Sequence, residues 1–255
     1  MKRKEFIQRT ALGTAGSILA PTILSAMPLR MDNFPFEEGQ RIACIGDSVT
    51  SAGGNGYVER LQTYFDTNHA DQSVTFLNLG LSGETVTGLT EKGHKGDRPY
   101  LFDRLDTLLS EHEFEIATFC YGINCGIYQP FSEETMHKYE EGVQRFLTVM
   151  KEKGKKVILM TPPHFALSDQ KKRIIESQNH STYTWMVPYP EYDRDVIQEF
   201  RNYILQQKAD HILYTVDTYQ ALKNEVEKAY GKDPIHPNAY GHNVIAKAFT
   251  DVVEA

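Results

Sequence analysis

Five short apolar runs alternate with stretches of helical periodicity, and that alternation restricts the fold more than any other feature of the chain. The runs are 41–45, 74–79, 116–121, 156–160 and 212–216. Each is short, rich in aliphatic residues and bounded by glycine, proline or polar residues, the pattern of a strand buried on both faces. Between them, 57–65 places Val58, Leu61 and Phe65 on one helical face, and 101–109 repeats the pattern. The stretch 133–153 carries an apolar stripe of Tyr139, Val143, Phe146, Leu147 and Met150, with Gly154 as its stop and Pro162-Pro163 ending the strand that follows. A last helix is expected over 238–253. Strands separated by helices of this length predict an α/β domain with a mostly parallel five-stranded sheet covered on both sides. Sheets of that kind bind their ligands beyond the carboxyl ends of the strands.

A chain of 255 residues suits one such domain. Its formal net charge of −7 argues against a general nucleic-acid binder, which carries a basic face. The first 27 residues read as a signal peptide, with Lys2, Arg3 and Lys4 at the start, an apolar core over 11–24 and a small-residue end at Ser25-Ala26. The bland alternative is a short N-terminal helix. The stretch from Lys2 to Gln8 resembles a twin-arginine signal with lysine in place of the second arginine. No cysteine stands near its end, so a lipoprotein anchor is not expected. Cleavage near Met27 would leave a domain over 28–255, more acidic than the whole chain, in the periplasm or outside the cell. No later run approaches the ~18 apolar residues of a membrane-spanning helix, so no stable membrane insertion is expected after cleavage. The three cysteines, Cys44, Cys120 and Cys125, form neither a disulfide framework nor a Cys-x-x-Cys pair.

One connection stands apart. Residues 165–190 hold the only tryptophan, Trp185, with Tyr183 and Tyr189 nearby and no periodicity. A connection this long serves as a wall or cover of a pocket, with Tyr183 and Trp185 as candidate substrate contacts, or its rings simply pack it onto the domain. His164, just after the fourth strand, is a further candidate contact.

The candidate chemistry lies at strand ends. Gly46-Asp47-Ser48 falls where the first strand should stop, and a serine there projects over the sheet edge. Its hydroxyl needs a base to take its proton, and the base needs an orienting partner. Asp233-Pro234-Ile235-His236 offers an acid and a histidine three residues apart, ahead of the last helix. Either piece alone is common loop chemistry. Asp47 suits a local structural role, accepting backbone amides. His94, within the polar segment 93–98, reads as a solvated loop histidine, although that segment can rim a site. Glu84 and Thr85 are placed to brace the loop after Gly83. No spacing of histidines and carboxylates calls for a metal, and no cofactor is implied.

Two further stretches join these pieces: Asn78-Leu79-Gly80-Leu81-Ser82-Gly83 and Gly122-Ile123-Asn124-Cys125. With Gly46-Asp47-Ser48 and the Asp233 to His236 stretch, they resemble, in order and spacing, the four motifs of the SGNH hydrolases, also called GDSL esterases and lipases. The resemblance runs over 41–252. It implies a flavodoxin-like α/β/α sandwich, with Ser48 as nucleophile, His236 as base and Asp233 as its acid. It also implies an oxyanion hole from the amides of Ser48 and Gly80 and the side chain of Asn124. Gly80 suits that role because a missing Cβ lets its backbone approach a substrate. Cys125 departs from the pattern, standing where the family has an aspartate. As a rival nucleophile it lacks a base beside it.

A serine esterase acting through an acyl-enzyme follows from the resemblance. Export, acidity and the aromatic connection favour small acyl esters, acetyl above all, on an oligosaccharide or polysaccharide. The family also contains lipases, lysophospholipases and thioesterases, and a catalytically silent carbohydrate-binding protein is the rival from another class.

Overall fold

The computed structural model describes residues 36–167 and 183–255. The expected leader and residues 168–182 of the long connection lie outside the described residues.

All five expected strands form. They are β1 (Arg41–Gly46), β2 (Thr75–Asn78), β3 (Ile116–Cys120), β4 (Lys156–Met160) and β5 (Ile212–Val216). They make one sheet in the order β2-β1-β3-β4-β5. Every pairing is parallel, with Ala43 beside Ala117 and Phe119 beside Leu159 marking the central register. The central strands are buried almost throughout, whereas β2 and β5 at the edges are partly open. A two-sided core explains the continuous apolar runs, because alternate residues enter opposite layers.

Ala43, Ile45, Ala117, Phe119, Val157 and Leu159 point to one layer. Ile42, Cys44, Ile116, Cys120, Ile158 and Met160 point to the other. Ser48–Ser51 is a single turn, α1, and Tyr57–Asn68 is α2, which buries Tyr57, Val58, Leu61 and Phe65 in the second layer. Leu101–Glu111 (α3) and Glu133–Glu152 (α4) fill the first layer. Ser132 caps α4 by accepting the Thr135 amide at 3.1 Å. Phe146 of α4 is fully buried, 5.0 Å from the Phe119 ring, and truncating it to alanine would cost about 3–5 kcal/mol.

The second half holds helices that sequence periodicity does not single out. A π-helical turn at Asp193–Ile197 runs into α5 (Gln198–Gln206), and Thr218–Asn224 (α6) and Val226–Ala229 (α7) precede α8 (Ala239–Val253). Asn238 is the cap of α8 rather than its first residue, accepting the amides of Tyr240 and Gly241. The result is the three-layer α/β/α sandwich expected from the motifs. Because β1 has β2 on one side and β3 on the other, the order reverses between β1 and β3. The carboxyl ends of those two strands therefore flank the crevice where such sheets take ligands. Among the described residues no helix is long and apolar enough to cross a membrane.

Candidate active site

The loops leaving β1 and β3 bring the expected residues to that crevice. Gly46 ends β1 where a Cβ would lie 2.8 Å from the Cys120 carbonyl and within 2.1 Å of Thr50 Oγ1, so only glycine lets the chain turn there. Asp47 then caps the single turn α1, its Oδ1 accepting the Val49 amide at 3.0 Å. Its side chain is fully buried, with Oδ2 unpartnered, and burial pushes the carboxyl up from 3.8 to about 7. The local role expected for Asp47 is therefore the one it has. The next residue, Ser48, stands half-buried at the rim.

His236 Nε2 lies 3.0 Å from Ser48 Oγ, and His236 Nδ1 lies 2.8 Å from Asp233 Oδ2. A carboxylate at Nδ1 assigns the ring proton to that nitrogen and leaves Nε2 to accept the serine proton. The hydrogen bond to Asp233 raises the His236 pKa above its usual 6.5, against the opposing effect of partial burial. Burial opposes ionisation of Asp233, but His236 and the Ile235 amide outweigh it, and the carboxyl lies below its ordinary value. The other oxygen, Oδ1, accepts the amides of Ile235 and His236 and fixes the turn that carries both side chains. Such a row can deprotonate a hydroxyl and return the proton to a leaving group.

Gly80 approaches α1 so closely that a Cβ would sit 2.3 Å from the Ser51 nitrogen. Its own amide donates a long 3.2 Å bond to Asn78 Oδ1. Asn124 is nearly buried; its Oδ1 accepts the Tyr128 hydroxyl at 2.8 Å and an Arg98 N–H at 3.3 Å. Its Nδ2 makes only a 3.4 Å contact, with the Glu84 carbonyl. Ser48, Asn124 and His236 line a cleft of about 340 Å³, together with Arg98, Tyr128 and Trp185.

The remaining candidates divide. Trp185 borders the cleft and is 48% exposed, whereas Tyr183 does not line it and packs edge-on against Tyr189 at 5.5 Å. That stretch is pinned to the loop after β3 by the Tyr189 amide on the Tyr128 carbonyl and by Gln129 on the Tyr183 carbonyl. The described part of the long connection thus supplies both a cleft wall and packing rings. His164 is misplaced by the sequence expectation. It is fully buried, outside the cleft lining, with Nδ1 2.9 Å from Asp193 Oδ1 and the Tyr230 hydroxyl on its carbonyl. The strand end does lie near the active edge, but the side chain turns inward to tie β4 to the second half.

Cys125 is equally buried, and burial pushes its thiol up to about 12, so it is no thiolate nucleophile. The nearby backbone of Val86 and Thr87 opposes that rise without offsetting it.

Arg98 and Tyr128 are the residues that sequence reasoning missed. The segment 93–98 was expected only as a rim, yet Arg98 is buried and paired with Glu91. Its neighbour His94, expected to be solvated, also lines the cleft. Glu84 braces the loop as expected: fully buried, it receives Arg104 at 2.6 and 2.7 Å and the Tyr121 hydroxyl. Among the described residues no cluster of three or more histidines, cysteines and carboxylates is placed to hold a metal.

The profile of the GDSL-like Lipase/Acylhydrolase family matches residues 44–244. An acetylxylan esterase of Geobacillus stearothermophilus is 24% identical over an alignment of 235 positions that covers 83% of this chain and 92% of that protein. Two solved structures share the fold. A catalytic mutant of Axe2, an acetylxylan esterase from the same organism, aligns with a TM-score of 0.63 at 21% identity, over 87% of this chain and 97% of that one. LAE5, an alpha/beta hydrolase from the metagenome of Lake Arreo, Spain, aligns with a TM-score of 0.61 at 21% identity, over 86% and 96%.

Proposed function

Because the chain belongs to the GDSL-like lipase/acylhydrolase family, we propose that it hydrolyses small acyl esters, acetyl above all, on a carbohydrate through an acyl-enzyme on Ser48. The observation that carries this is the hydrogen-bonded row from Ser48 through His236 to Asp233, opening on a cleft. Ser48 Oγ attacks the ester carbonyl while His236 Nε2 takes its proton. The tetrahedral oxyanion is met by the Ser48 amide, the first N–H of α1 and without an intrahelical partner, and by Asn124 Nδ2. The Gly80 amide joins as a donor shared with Asn78. His236 then gives its proton to the departing alcohol, and water repeats the sequence with the same base to free the acid. Asp233 holds the ring and stabilises the imidazolium formed twice in the cycle.

The carbohydrate part rests on the similarity to acetylxylan esterases and on Trp185, whose exposed ring at the cleft offers a face for a sugar. Export through the leader is part of the same proposal and would bring the enzyme to polysaccharide; the mass of the exported protein would then start near residue 28.

Hydrolysis of a small aryl acetate, lost in Ser48→Ala, tests the enzyme reading. Equal slow release by wild type and variant would leave a silent binding protein instead. Acetate release from acetylated xylooligosaccharides, with turnover collapsing on aryl esters longer than butyryl, tests the substrate. Preference for long acyl chains would make the chain a lipase.

A further inference from the structure

The amide of Asn124 can serve an oxyanion only if its nitrogen, not its oxygen, faces the cleft. An asparagine amide has no intrinsic preference between those orientations, and its neighbours decide. Here the deciding neighbour is Arg98. A guanidinium has donors and no acceptor, so the Asn124 atom 3.3 Å from it is the carbonyl oxygen. The Tyr128 hydroxyl, 2.8 Å from the same oxygen, then donates as well. Turned over, the amide would set its N–H groups against the guanidinium and lose the cleft donor.

Arg98 is itself fixed. Nε and Nη2 form a two-pronged pair with the Glu91 carboxylate at 2.5 and 2.6 Å, and Nη1 reaches the Gly83 carbonyl at 3.2 Å. The side chains of the pair are 4% and 0% exposed. Burying two charges costs desolvation that a pair of this kind recovers only in part, so it is a poor device for stability alone. It is a good device for holding one N–H in one direction. The Tyr128 ring is placed by Ile127 and Tyr128 in the left-handed region, at φ 47° and 59°. Non-glycine residues sit there at a cost, of the kind that collects at working sites.

Resting on the acyl-transfer reading above, we propose that Arg98, held by Glu91, is a positioning residue that locks and polarises the Asn124 amide and acts on the reaction only through it. Two donors on the carbonyl oxygen draw charge from the amide nitrogen and strengthen its N–H toward an oxyanion. Four of the five guanidinium N–H groups are committed to Glu91, Gly83 and Asn124, so orienting the amide is separable from binding the substrate.

A double-mutant cycle on aryl acetate hydrolysis tests this. Asn124→Ala should lower kcat by about 10²–10³, the usual loss for one oxyanion donor. Arg98→Met should lower kcat by up to about 100-fold, the scale of a misplaced catalytic group, with KM little changed. The double variant should be no slower than Asn124→Ala alone, and affinity for a phenylboronic acid, which presents a tetrahedral anion, should fall in parallel with kcat. Arg98→Lys, which keeps the charge on a less directed donor, should recover part of the rate. Multiplying losses in the double variant, or an effect on KM alone, would overturn the proposal in favour of a structural or substrate-binding role. If Arg98→Met does not fold, the same cycle with Arg98→Lys and Tyr128→Phe decides: each should be silent in the Asn124→Ala background, and additivity overturns it. Wild type without turnover abolished by Ser48→Ala would instead sink the parent reading.

Discussion

Asp47→Asn should gain stability relative to wild type as pH rises. Asp47 is fully buried with one oxygen unpartnered, and its carboxyl is pushed up from 3.8 to about 7. A displacement of about three pH units, at about 1.4 kcal/mol each, amounts to about 4 kcal/mol. The sign follows from proton counting. Between about pH 4 and pH 7 the folded chain keeps a proton that the unfolded chain releases, so folding weakens as pH rises. Below pH 4 the group is neutral in both states and the penalty vanishes. Asparagine keeps the acceptor for the Val49 amide, but its new N–H₂ replaces an unpartnered oxygen and costs about 1–3 kcal/mol at every pH. That constant offset cancels when the variant and wild type are compared across pH. Urea unfolding from pH 4 to pH 8 should therefore show the difference in stability moving toward the variant by up to about 4 kcal/mol and levelling above pH 7. A difference that stays flat across that range would show that Asp47 is not held uncharged by burial.

Other expectations concern the same crevice. Asp233→Asn removes the hydrogen bond that raises the His236 pKa, so the acid limb of kcat/KM should move to lower pH while kcat drops by up to about 10⁴-fold; a pH–rate profile decides. Gly80→Ala places a methyl 2.3 Å from the Ser51 nitrogen, and thermal unfolding should report a loss of about 1–3 kcal/mol together with impaired turnover. Trp185→Ala should raise KM for an acetylated oligosaccharide more than for an aryl acetate, since only the former extends to an exposed ring at the cleft rim.

Much of this architecture could be read from residues alone, and the parts that could not share a cause. Burial on both faces writes itself as an apolar run, so all five strands were legible to within a residue or two. Long amphipathic helices such as α4 were equally plain. Helices α6 and α7 are too short to establish a period, and α5 follows a π-helical turn that shifts its phase. In the site, Ser48, Gly80, Asn124, Asp233 and His236 were readable because motif order joins them. His164 was misjudged because position at a strand end says nothing of side-chain direction. Arg98 was hidden because its segment, between Gly93 and Gly96, has the composition of a solvated loop. Only Glu91, seven residues earlier, reveals the burial, and an Arg–Glu pair at that spacing has no local signature outside a helix.

The departure at Cys125 gains a physical account from the same loop. Residues 83–98 are stitched to the loop after β3 by the Thr87 hydroxyl on the Cys125 carbonyl at 3.2 Å and by Arg98 on Asn124. Two buried carboxylates in that loop, Glu84 and Glu91, each have an arginine of their own. Among the described residues Asp47 has none within hydrogen-bonding reach, and it already bears on Cys125, raising its pKa further. An aspartate at 125 would add a charge at a fully buried position near two arginines that already have carboxylates of their own. The neutral thiol keeps the volume without that charge, while the task of holding Asn124 falls to Arg98 and Tyr128. Loss of the motif carboxylate therefore leaves the oxyanion donor oriented, which is why the cysteine is compatible with an active site rather than a mark of a silent one.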